Sequence, residues 1–114
     1  MHDIQNRIAD VLLGVEATLR INGKWDETRP SARELASDQP FCMDTLAFEQ
    51  WLQWIFQPRM KNTLEETKPL PANSSIFVYA QECLHERDPY TANLLKLIKT
   101  FDELIKIQSG ACLH

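Results

Sequence analysis

The chain has 114 residues, 44% of them hydrophobic and 25% charged, with a net charge of -4. This suits one globular domain and excludes a disordered chain, which would be poor in apolar residues and strongly charged. Only three glycines argue against a strand-and-turn architecture, and no apolar run approaches the ~20 residues of a membrane-spanning helix.

In chain order, Ile4, Ile8, Val11, Leu12, Val15 and Leu19 recur at three- and four-residue steps and predict an amphipathic helix. Asp3 is its candidate N-cap, and Asn22-Gly23 its stop. Gly14 sits inside it; either the helix tolerates the glycine or a bulky side chain, such as a tryptophan, lies against it. A polar connector, Lys24 to Pro40, follows. Within it Ser31 and Glu34 form a capping box that predicts a short helix over 31–37. A second long helix is expected from Asp44 or Thr45 to about Glu66, with Phe48, Trp51, Leu52 and Ile55 as its inward stripe and Trp54 and Phe56 off it. Pro58 should kink it near 55–58, because it removes an amide and crowds the Trp54 carbonyl. Lys68-Pro69-Leu70-Pro71 reads as a stiff linker.

A third helix is expected over 74–85, with Ile76, Phe77, Ala80 and Leu84 inward and Tyr79 and Cys83 flanking. Asp88-Pro89 is a start signal for a fourth, running to about Gln108, with Leu94, Leu95, Ile98, Phe101, Leu104 and Ile105 inward. On its outer face Lys99 with Glu103 and Asp102 with Lys106 have ion-pair spacing. Residues 109–114 read as a frayed tail. The expectation is an all-α single domain resembling a four-helix bundle, with a short extra helix in the first connector and a proline-kinked second helix.

One stretch stands out. Gln39 to Met60, QPFCMDTLAFEQWLQWIFQPRM, holds five of the chain's ten Phe, Trp and Tyr residues. One apolar stripe suffices to pack a helix, so the excess must be buried on a second side or left as a surface for something else to cover.

Function classes narrow by charge. Lys and Arg number 12 against 16 acids, the pI is about 5.3, and no run of cations forms a patch. Autonomous nucleic-acid binding, which draws most of its affinity from phosphate neutralisation, is not expected. Cys42, Cys83 and Cys112 are odd in number and widely spaced, fitting neither a disulfide framework nor a zinc site. Reduced thiols and a polar N-terminal sequence, MHDIQNRIAD, unlike a signal peptide, point to the cytoplasm.

Individual side chains offer little chemistry. Asp44 reads first as a helix N-cap, and a catalytic carboxylate would need a second titrating group in reach. Cys42 precedes a helix start, yet a nucleophile needs a base, and the histidines are His2, His85 and His114. Cys83 and His85, two apart, diverge on a helix and make no metal site. Trp51 and Trp54 are core residues or a contact platform. Arg59 pairs with an acid or phosphate, or covers carbonyls freed by Pro58.

The Gln39–Met60 stretch, the following KPLP and the isolated Trp25 resemble the YqcC-like family of small bacterial proteins. The resemblance covers essentially the whole chain. It implies a small helical bundle and no established activity. It also implies association, through gene neighbourhood and family label, with tRNA pseudouridine synthase C. Such synthases build their active sites on a larger mixed α/β domain, so the resemblance carries over no catalytic residue, cofactor or metal. The expected role is a non-enzymatic interaction module, with Gln39, Phe41, Asp44, Trp54 and Arg59 on the contact surface and another protein, plausibly a pseudouridine synthase, as partner. No membrane partner is expected. The competing expectation is a small ligand binder or enzyme with a pocket lined by Phe41, Trp51, Trp54 and Arg59.

Overall fold

The computed structural model describes residues 2–85 and 88–109. In chain order the helices are α1 (His2–Ile21), α2 (Ala32–Leu35), a 3-10 turn (Pro40–Cys42), α3 (Phe48–Trp51), a π-helical turn (Leu52–Phe56), α4 (Gln57–Glu65), α5 (Ile76–Cys83) and α6 (Pro89–Gln108). α3, the π turn and α4 run on as one central helix, 48–65. No strand occurs among the described residues. Nor is any helix among them long and apolar enough to cross a membrane.

The α1 stripe is buried as its spacing requires, with Ile8, Val11, Leu12, Val15 and Leu19 in the core. α1 ends where Asn22-Gly23 predicted. Gly23 takes φ +70, its amide donates to the Arg20 carbonyl, and the Lys24 amide donates to the Leu19 carbonyl at 2.8 Å. α1 packs along α6, and Gly14 lies at that crossing. A Cβ on Gly14 would meet Leu97 Cδ2 at 3.0 Å. The bulky neighbour is therefore a leucine of α6 and not a tryptophan.

The Ser31–Glu34 capping box forms, with the Ser31 amide 2.9 Å from Glu34 Oε1 and the Glu34 amide 3.1 Å from Ser31 Oγ, though the helix behind it covers only Ala32–Leu35. Asp88 caps α6, accepting the Thr91 amide at 2.8 Å, with Pro89 in the first turn. α5 is shorter than the expected 74–85.

The central helix departs most from expectation. It begins at Phe48 with Ala47 at the N-cap position, and the Ala47 amide donates to Gln50 Oε1 at 2.8 Å. Asp44 is therefore not its cap; four residues earlier, it accepts a hydrogen bond from the Ser37 hydroxyl. The irregularity expected near Pro58 is a widened turn: the Gln57 amide reaches back five residues to the Leu52 carbonyl. A π turn rotates less per residue than an α turn and so re-aims the side chains after it. Phe56, expected off the stripe, is buried against Trp51 and Phe101, while Ile55 is only partly buried.

The two ion pairs expected outside α6 are not formed. The Asp102 carboxylate instead caps α5 from across the fold, accepting the Phe77 amide at 2.9 Å, the Ile76 amide at 3.3 Å and the Ser74 hydroxyl at 2.6 Å. Lys99 lies over the Phe77 ring, 5.8 Å from its centroid. Of the expected tail, 110–114 lies outside the described residues, as does Cys112.

Candidate functional site

The Gln39–Met60 segment enters the core through a strained turn. Phe41 (φ 58, ψ 18) and Cys42 (φ 49) are consecutive non-glycine residues in the left-handed region. Each such residue costs about 1–3 kcal/mol and persists only where its surroundings over-determine it. Here they do. The Thr45 and Leu46 amides both donate to the Cys42 carbonyl, at 2.9 and 2.8 Å. The Thr45 hydroxyl donates to the Glu34 carbonyl at 2.7 Å. The Gln39 amide donates to the Ser37 hydroxyl, which itself donates to Asp44.

The strain aims the Phe41 ring. It stacks on Tyr79, with centroids 4.4 Å apart and planes 6° from parallel, and meets Trp51 edge-on at 4.8 Å. Beneath it Phe48, Trp51 and Phe56 are buried. Most of the segment's aromatic excess is thus consumed by a second side of burial, against α5 and α6. What stays open is a groove of about 300 Å³ lined by Phe41, Trp51 and Arg59 together with Ser75, Ile76 and Phe101. Arg59 is exposed, and its guanidinium makes no hydrogen bond or ion pair with the described residues.

Trp54 is not part of this groove. It is half-buried on another face, with Trp25, in an open cleft of about 630 Å³. The Arg29 guanidinium sits 5.7 Å from the Trp54 ring centroid and that of Arg20 4.5 Å from Trp25. Two glutamines that sequence reasoning passed over hold this face. Gln53 exchanges a pair of 2.7 Å hydrogen bonds with the Asp26 backbone, pinning the first connector to the central helix. Gln57, 1% exposed, donates to the Leu12 carbonyl at 2.9 Å. Their signal was two amides four residues apart in an aromatic run.

Of the predicted surface, then, Phe41 and Arg59 share a groove, Gln39 and Asp44 stabilise the turn behind it, and Trp54 lies apart. The pocket expected from Phe41, Trp51, Trp54 and Arg59 together does not assemble, because Trp54 faces another cleft.

Reactive groups do not converge there. Cys42 is buried, Cys83 partly so. Burial and a hydrogen bond with Cys83 push the Tyr79 phenol up to about 12. Burial, then the Glu49 carboxylate, pushes Tyr90 up also, with its hydroxyl 3.2 Å from Glu49. Arg20 holds the Glu16 carboxyl below its usual range. No group of three or more His, Cys, Asp or Glu side chains among the described residues could hold a metal ion.

Comparison with known proteins follows this architecture. The family DUF446, described as tRNA pseudouridine synthase C, matches residues 7–104. An Escherichia coli protein called uncharacterized protein YqcC is 33% identical over 99 residues, which are 87% of this chain and 91% of that one. The solution structure of E. coli YqcC superposes with a TM-score of 0.78 at 32% identity, covering 90% of this chain and 87% of the other. A Pectobacterium carotovorum protein named tRNA pseudouridine synthase C is 36% identical over 67 residues; these are 59% of this chain but 18% of that protein.

Proposed function

The chain belongs to the YqcC-like DUF446 family, and from that premise we propose that it is a non-catalytic interaction module whose partner is a tRNA-modifying enzyme of the pseudouridine synthase type. The Pectobacterium relative carries this reading. There, a segment like this chain makes up 18% of a protein bearing the synthase name, so most of that protein lies beyond the match. A module that is a small part of the Pectobacterium protein but nearly the whole of E. coli YqcC, 91% of which is matched, is a natural candidate for a partner in trans. The bundle-like packing of four longer helices serves as a rigid frame, and the turn around Gln39, Phe41 and Asp44, with Arg59 beside it, is the contact surface. The free Cys42 and Cys83 fit work in the cytoplasm.

The test is direct binding. The purified chain should form a stoichiometric complex with pseudouridine synthase C from its own organism, measured by calorimetry. Absence of heat and of co-elution at concentrations well above the micromolar range would overturn the proposal.

A further inference from the structure

We propose that the Phe41–Arg59 groove docks a short extended segment of a partner protein that carries a carboxylate side chain beside a large apolar one. This rests on the interaction reading above and names the chemistry of what the surface recognises.

Three observations converge. The first is backbone conformation: two consecutive left-handed residues, Phe41 and Cys42, hold the Phe41 ring at the groove mouth, and such conformations cluster where a side chain must be presented. The second is charge. Among the described residues Arg59 is the one charged side chain lining the groove, and none of their carboxylates pairs with it. Asp102, next to Phe101 of the groove lining, is committed to the α5 amides, and Glu82, whose charge acts on Tyr79, does not line the groove. In a chain of net charge -4, an uncommitted arginine beside buried aromatic rings is complementary to an acid from outside. The third is shape. About 300 Å³ accepts one large apolar side chain against Trp51 and Phe101, with the exposed Arg59 lining the same groove within reach of a neighbouring residue of the same segment. Aromatic and arginine side chains together are the usual anchors of such contacts.

The probes are N-acetylated, C-amidated tetrapeptides Gly-X-Glu-Gly, with X as Leu, Phe or Trp, beside their Gln counterparts. Proton–nitrogen correlation spectra of the full chain report binding. The Glu peptides should shift the Trp51 indole N–H and the Arg59 and Ser75 amides, and the Gln versions should bind about tenfold more weakly or worse. Arg59→Gln, at an exposed side chain with no internal hydrogen bond, should fold with an unchanged Tm and abolish that preference. Equal binding of Glu and Gln peptides, shifts confined to Trp25 and Trp54, or no response at millimolar peptide would overturn the proposal. So would free N-acetyl-leucine binding as well as the best peptide, which would assign the groove to a small carboxylate. A dimer in sedimentation that Arg59→Gln dissolves would assign it to a second copy. If the peptides behave as expected and the synthase does not bind, the groove stands and the synthase reading falls. If the synthase binds and Arg59→Gln leaves that binding unchanged, the groove proposal falls alone.

Discussion

Threonine is poorly suited to the left-handed conformation, yet Thr67 adopts it at φ 53 where α4 ends. Its amide donates to the Leu64 carbonyl, and the Lys68 amide to the Thr63 carbonyl, the same two-bond closure that Gly23 makes after α1. Thr67 is exposed, so Thr67→Gly relieves the strain without opening a cavity. Chemical denaturation should find the variant more stable by ~0.5–1 kcal/mol, since relief of the left-handed penalty exceeds the added chain entropy. The α1 stop was legible because glycine advertises such a site; the α4 stop was not, because a β-branched residue occupies it. The two tyrosines, the only ones in the chain, give a second residue-scale test. A phenol titrates near pH ~10 in an unfolded chain. Tyr79 is raised to about 12 and Tyr90 is raised too. Above pH ~10 the unfolded state therefore binds fewer protons than the folded one, and stability falls as pH rises. It should be undiminished by these groups below that point and be lost through about 12. Phenolate absorbance of the native protein should lag that of the urea-unfolded chain by more than one pH unit; coincident curves would contradict the burial of both rings.

At the scale of elements, caps local in sequence could be read and caps supplied from afar could not. Ser31 with Glu34, and Asp88 with Pro89, lie within four residues of the groups they satisfy. Asp102 reaches α5 from another helix, so it was read as a solvated ion-pair partner, while Asp44 was read as a cap it does not make. The structure reverses their expected contributions. Asp102→Ala strips the N-terminus of α5 of three donated hydrogen bonds and should cost ~1–2 kcal/mol. Asp44→Ala, losing one exposed bond to Ser37, should cost under ~0.5 kcal/mol. Equal losses in urea melts would show that the Asp44 tie carries most of the hold on the strained turn, more than the bonds to the Cys42 and Glu34 carbonyls. The central helix makes the same point about periodicity. Phe56 and Trp54 were both placed off the main stripe, and only Trp54 stays off it. The π turn shifts the register between Leu52 and Gln57. No single-residue signal marks that shift; Pro58 marked only its neighbourhood. Phe41 and Arg59 were legible as candidates because the segment was richer in aromatics than one stripe needs. Their meeting in one groove depends on the left-handed turn, which the sequence QPFC does not announce.

For the molecule as a whole, the decisive quantity is where the positive charge goes. Net charge is -4 and the pI about 5.3, but an acidic protein can still bind RNA if its cations gather on one face. Three of them, Arg20, Arg29 and Lys61, line the Trp25–Trp54 cleft, but Asp26 and Glu27 line it too. Lys61 and Arg20 both pair with Glu16, and Lys68 with Glu66. Arg20 and Arg29 lie over the two tryptophans of that cleft, and Lys99 lies over Phe77 elsewhere. Arg59 stands by itself in its groove. Phosphate binding strengthens with the number of cations that can release counterions together, and the three in the Trp25–Trp54 cleft are offset by Asp26, Glu27 and the shared pairing with Glu16. Transfer RNA should therefore not bind the isolated chain at physiological salt. If the proposed synthase partnership holds, tRNA should enter a complex only through that enzyme, and the chain should alter enzyme behaviour rather than RNA affinity. Gel-shift titration with total tRNA, over a salt series and with and without the synthase, checks this. Submicromolar binding by the chain alone that weakens steeply with salt would mean that these scattered cations act together, and the partner would then be RNA rather than the enzyme that modifies it.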